Sequence, residues 1–173
     1  KTPGNFEPFP NNRNSPSQSS LPQPLTPLIG REGAVREVIG RLRSSRLVTL
    51  TGTGGVGKTR LALRVAEELA DEYCDGAQFV NLAPLADPST VPAAVRTVLA
   101  VPHGDARQPP IDALRQFLFS RRLLLLLDNC EHLLDSCASL ADALLGHCPG
   151  LAILATSRQC LGLRGETVWR VPP

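Results

Sequence analysis

The stretch LVTLTGTGGVGKTRLAL, residues 47–63, decides how the chain is read. Its first residues, 47–50, form an apolar run that reads as a buried strand. A glycine-rich turn follows. From Lys58 onward Leu61, Leu63, Val65, Ala66 and Leu69 mark the buried side of a helix. The centre, GTGGVG, fits the Gly-x-Gly-x-x-Gly pattern of dinucleotide binding. Continued to GTGGVGKT, it fits Gly-x-x-x-x-Gly-Lys-Thr, a loop for nucleoside triphosphates. Both patterns belong where a strand turns into a helix.

The two readings make different demands. A dinucleotide fold wants an acidic residue at the end of the next strand to grip a ribose hydroxyl. That strand, expected over 77–82, ends at Asn81-Leu82. The dinucleotide reading also leaves Lys58 and Thr59 without a task. The triphosphate reading uses every residue. Gly52, Gly54, Gly55 and Gly57, with Thr53 and Val56 between them, let the backbone wrap closely around phosphate oxygens. The helix that begins near Lys58 brings its positive dipole end to the same place. Lys58 suits the β- and γ-phosphates, Thr59 suits Mg²⁺, and Arg60 completes the cofactor-binding set. This reading requires an acidic residue at the end of another apolar strand, to hold the metal. Asp128, closing the run RLLLLLD at 122–128, is in that position.

Outward from the loop, apolar segments alternate with helical ones. A helix is expected within 28–45, with Ala34, Val35, Val38, Ile39 and Leu42 inward. Further helices are expected over 58–73, 87–100, 110–120 and 131–147, and further strands over 151–155 and 166–171. This alternation predicts a parallel sheet covered by helices on both sides. Residues 1–27, rich in Pro, Asn, Ser and Gln, read as a disordered linker. The chain opens on Lys1 without Met and stops at Pro173, so a piece of a longer protein is expected, with the nucleotide domain spanning 28–173.

Hydrophobic residues make up 42% of the chain and charged residues 20%, a globular balance. A net charge of +2 gives no argument for nucleic acid or membrane binding by this piece. The longest apolar run, 123–127, is too short to span a bilayer. The cysteines, Cys74, Cys130, Cys137, Cys148 and Cys160, are odd in number and lack Cys-x-x-Cys spacing, so buried thiols in a reducing cytoplasm are expected. A metal site at Cys130, His132 and Cys137 is the minor alternative. His103 and His147 receive no role.

Three further residues are candidates for chemistry. In many loop NTPases a carboxylate directly after the magnesium aspartate activates water. Here that place holds Asn129, so Glu131 is the candidate base and slow hydrolysis is expected. Arg158 follows the strand expected beside the loop strand and is placed to sense a γ-phosphate, with Thr156 and Ser157 as alternatives. Arg31, in Ile29-Gly30-Arg31-Glu32, precedes the first helix and is placed to fold back towards base and ribose.

LIGRE, LTGTGGVGKTRLAL, FVNLAPLADPSTV, LLLLLDNCEHLLD, CPGLAILATSR and GETVWRVPP, in this order, resemble the signal-transduction ATPases with numerous domains. Within that class they are similar to the apoptotic-ATPase-like, NB-ARC branch, as found in bacterial regulators of the LuxR and antibiotic-regulator types. The resemblance implies an α/β P-loop NTPase fold of the ASCE/AAA-like kind, with the sensor strand between the loop strand and the magnesium strand. It implies that Gly30 and Arg31 lie by adenine and ribose, that residues 52–59 form the phosphate loop, that Asp128 serves Mg²⁺, and that Arg158 is a sensor. It implies ATP or ADP as ligand, other domains of the same chain as partners, and a homo-oligomer in the ATP state. DNA contact would come only through domains outside this piece. The helical and winged-helix subdomains that usually follow in that class are absent from residues 1–173.

The leading functional expectation is a nucleotide-dependent switch with slow ATPase activity in a transcription regulator. The same module attached to a protein kinase or adenylate cyclase is the alternative output. A small-molecule kinase, with 101–110 as a lid carrying Asp105 and Arg107, and a non-hydrolysing interaction module stand beside it.

Overall fold

The computed structural model describes residues 19–23, 26, 28–102 and 107–173. Helix α1 (Glu32–Ser44) leads into strand β1 (Leu47–Thr51), the glycine-rich turn and helix α2 (Lys58–Leu69). Strand β2 (Ala77–Asn81) is followed by α3 (Val91–Val98) and α4 (Pro110–Leu118). Then come β3 (Leu123–Asp128), α5 (Leu134–Leu145), β4 (Leu151–Ser157) and β5 (Thr167–Arg170). The strands form one sheet in the order β2-β3-β4-β1-β5, and every pairing is parallel. The expected α/β class and the placement of β4 between β1 and β3 are both found.

Alternation along β3 divides the core in two. Leu123, Leu125 and Leu127 enter the cluster built with α3, α4 and α5. Leu124 and Leu126 enter the cluster built with α1 and α2. A strand covered on both faces has no solvent side, and its run of leucines follows from that. Parallel order also gathers the C-terminal ends of β1, β3 and β4 at one rim, where ligands of open α/β sheets bind.

Several boundaries differ from the sequence expectations. The helix expected over 131–147 is broken. Asn129 adopts the left-handed conformation, φ 64° and ψ 50°, and a single 3₁₀ turn (Cys130–His132) precedes α5. The segment expected as one helix over 87–100 opens with a 3₁₀ turn, Pro88–Thr90, started by the Asp87 carboxylate accepting from Ser89 N at 2.8 Å. That bond holds the Asp87 carboxyl below the usual carboxylate range. Strand β4 runs two residues further than expected, through Thr156 and Ser157, both buried.

Most of the expected linker lies outside the described residues. Its described end touches the domain. Ser20 bridges Gln78 in parallel at the free edge of β2, and Ser20 N donates to Ala77 O at 3.1 Å. Leu21 and Leu28 pack against the α1–α2 core. Thr26 accepts from Arg60 Nη2 through both its carbonyl and its hydroxyl, each at 3.0 Å.

Candidate functional site

The turn between β1 and α2 is shaped by its glycines. Gly55 and Gly57 hold φ of 79° and 93°, which side chains other than glycine adopt only at a cost. Gly57 is the N-cap of α2 and offers no side chain to the helix. An α-helix leaves its first N–H groups without intrahelical partners. Here they remain available to an anion, at the positive end of the helix dipole.

Lys58 is buried although it is charged. Its ammonium donates to Gly52 O at 2.9 Å and Thr53 O at 3.0 Å, so it lies across the inside of the turn. Thr59, one residue on, donates its hydroxyl to Asp128 Oδ1 at 2.7 Å. Thr156 donates to the same oxygen at 2.6 Å, and its own hydroxyl oxygen accepts from Asn129 N at 3.1 Å. Asp128 is thereby fixed from α2 on one side and from β4 on the other. A hydroxyl and a carboxylate side by side are hard oxygen donors, the set that Mg²⁺ takes. The residues fit that ion.

Arg158 and Glu131 meet at this rim. Arg158 Nε is 3.4 Å from Glu131 Oε1. Its Nη2 lies 3.8 Å from the place a Cβ on Gly54 would occupy, so the guanidinium stands beside the phosphate turn. Glu131 Oε2 is buried without a hydrogen-bond partner among the described residues.

Arg31 sits on the outer side of the turn. Its guanidinium donates to Pro172 O at 2.9 Å and Val56 O at 3.4 Å. Gly30, φ 74°, makes the bend before it. A groove of about 420 Å³ opens here. Thr26, Leu28, Ile29 and Arg31 form one wall, and Gly55, Val56, Gly57 and Arg60 the other. Of the first wall the sequence singles out Arg31 as a candidate, Thr26 falls in the expected linker, and Leu28 and Ile29 are not among the candidates. The apolar pair before Gly-Arg-Glu was the available signal.

The remaining candidates do not join the site. His132 Nε2 faces Leu85 O at 2.9 Å. The Cys130 thiol is pushed well up by its hydrogen bond with Cys137 and by burial, while the same bond lowers Cys137. Among the described residues no group of three or more His, Cys, Asp or Glu is placed to hold a metal ion. The lid expectation falls partly on 103–106, outside the described residues. No described helix is long and apolar enough to cross a membrane.

The comparisons agree with this geometry. The family model for the NACHT domain matches residues 46–164. A Mycobacterium tuberculosis protein whose name describes an HTH-type transcriptional regulator is 53% identical over 131 residues, covering 76% of this chain and 14% of that protein. The regulatory protein AfsR of Streptomyces griseus is 33% identical over 154 residues, covering 81% of this chain and 15% of its own length. The chain thus spans a small fraction of both relatives. Among solved structures, the Aeropyrum pernix ORC2 protein in its ADP form superposes with a TM-score of 0.57 at 21% identity, covering 90% of this chain and 50% of that one. A Pyrococcus horikoshii signal-transduction ATPase with numerous domains, bearing a tetratricopeptide repeat sensor, gives 0.58 at 14% identity, covering 91% and 25%. These likenesses show the fold. Sequence match, sheet order and a phosphate turn joined to an acidic strand end lead to one conclusion: the chain belongs to the NACHT family of P-loop NTPase domains.

Proposed function

We propose that this chain is the ATP- and ADP-binding switch of a larger transcription regulator. The observation that carries the reading is the bond from Thr59 to Asp128, which brings together two motifs 69 residues apart, as a joint phosphate-and-metal site requires. The regulator names of relatives support the output, and DNA contact belongs to other domains of the whole protein.

In this reading the first-turn N–H groups of α2 and the Lys58 ammonium take the phosphates. Lys58 exchanges its two loop carbonyls, Gly52 O and Thr53 O, for phosphate oxygens. Base and ribose take the groove between Arg31 and the turn. Thr59 and Asp128 would hold Mg²⁺, which would supply charge neutralisation to the bound phosphates. Arg158 meets the terminal phosphate, and Glu131 orients and deprotonates the attacking water. Asn129, directly after Asp128, supplies no base, so turnover is slow and suits a timer better than a metabolic enzyme.

The test is calorimetric titration of the full-length protein with Mg-ATP and with Mg-ADP. Lys58→Ala should weaken both by roughly tenfold or more, the worth of a charge-assisted hydrogen bond. Unchanged affinity would overturn the reading.

A further inference from the structure

The Glu131–Arg158 pair spans the two sides of the site. Glu131 lies on the 3₁₀ turn after β3, and Arg158 directly follows β4. The guanidinium pairs with the carboxylate, and its Nη2 stands 3.8 Å from where a Cβ on Gly54 would lie, facing the phosphate turn. The side chains differ in freedom. Arg158 is 69% exposed and Glu131 24%, so the arginine is the partner able to swing. The carboxylate has one oxygen on Arg158 and one buried with no hydrogen-bond partner among the described residues.

We infer that Glu131 sets the preference of this site between ATP and ADP by competing with the terminal phosphate for Arg158. This rests on the phosphate-loop reading above and adds a determinant of nucleotide specificity to it. With a diphosphate bound, Arg158 stays on Glu131. A γ-phosphate adds a second, more highly charged acceptor on the loop side, and the planar guanidinium forks to it. Moving there strips the carboxylate of its cation. Part of the binding free energy of the γ-phosphate offsets that loss, so the pair favours the diphosphate state. The same move uncovers Glu131 for water. Sensing and arming are then one displacement of one side chain, and a triphosphate that fails to draw Arg158 away is not hydrolysed.

The pair makes a prediction that a simple catalytic base does not. Glu131→Gln keeps the shape, removes the charge and releases Arg158. The ratio of ATP to ADP affinity should rise roughly fivefold or more, the lower range of coupling between sites. In an Arg158→Ala background the same substitution should leave the ratio within about twofold. Both are read by calorimetric titration of the full-length protein in Mg²⁺ buffer, with thermal denaturation confirming that each variant is folded. A ratio unchanged by Glu131→Gln would overturn the inference. So would an equal rise in the Arg158→Ala background, which would show direct repulsion between carboxylate and phosphate. If the wild type binds both nucleotides and Lys58→Ala weakens them, either of these results removes the pair alone. If Lys58→Ala changes nothing, the loop reading falls and the inference with it.

Discussion

Thr59 Oγ1 and Asp128 Oδ1 stand 2.7 Å apart, and Thr156 Oγ1 reaches the same oxygen at 2.6 Å. One carboxylate oxygen therefore takes two hydroxyl donors, and each O–H loses its acceptor if the carboxylate goes. Asp128→Ala should cost about 1–3 kcal/mol of stability through these orphaned groups, as well as abolishing the Mg²⁺ dependence of nucleotide affinity. Denaturant unfolding and titration with and without Mg²⁺ measure the two effects. Thr156→Val should cost stability while leaving a measurable Mg²⁺ dependence, because Thr59 and Asp128 stay in place.

Asn129 combines a left-handed backbone with a side chain that tolerates it. Asn129→Val should destabilise the protein by roughly 1–2 kcal/mol, and Asn129→Gly should be close to neutral. Equal loss in both, seen by chemical denaturation, would show that the side chain rather than the backbone decides. The residue that looked like a missing base is also the residue that this bend accepts.

Glu166 closes the loop that follows Arg158. Its carboxylate accepts from Leu161 N and Gly162 N at 2.8 Å each, and from Leu163 N at 3.2 Å. Glu166→Ala should therefore loosen the segment after Arg158. The expected result is faster amide hydrogen exchange over 159–166 and a loss of about 1–3 kcal/mol, with the core helices protected as before.

Thr49 is fully buried in β1, and its hydroxyl has no partner among the described residues. Thr49→Val replaces an unsatisfied hydroxyl with a methyl of similar shape. Stability should rise by about 1 kcal/mol, and the melting temperature with it. A drop on thermal denaturation would point to a hidden hydrogen bond.

What sequence could show was whatever is written locally. The five leucines of β3 declare a strand covered on both faces, and GTGGVGKT declares its ligand class, because both depend on neighbours in the chain. The 3₁₀ break after Asn129 was hidden, since Glu131 to His147 carries helical spacing while the bend depends on one dihedral angle. Thr156 and Ser157 looked like a loop because they are polar. They belong to β4 because the Thr156 hydroxyl is satisfied by Asp128, which lies 28 residues away. Ser19, Ser20 and Leu21 looked like linker because composition records how little a segment buries by itself. It does not record a free strand edge waiting beside it. The Glu131–Arg158 pair joins residues on different strand ends, and no spacing announces it.

The sheet order also constrains how this protein comes into being. Strands β1 and β3 never pair with each other, because β4 separates them, bonding Thr49 to Ala155 on one side and Leu125 to Ile153 on the other in register. The phosphate turn is thus synthesised long before the strand that brings Asp128 to it. Until β4 inserts, its two future neighbours keep unpaired backbone N–H and C=O groups along the edges that face each other, and the site is not assembled. Pairings so distant in sequence fold slowly. The late strand is therefore the step at which this domain either becomes able to hold nucleotide or meets a chaperone first.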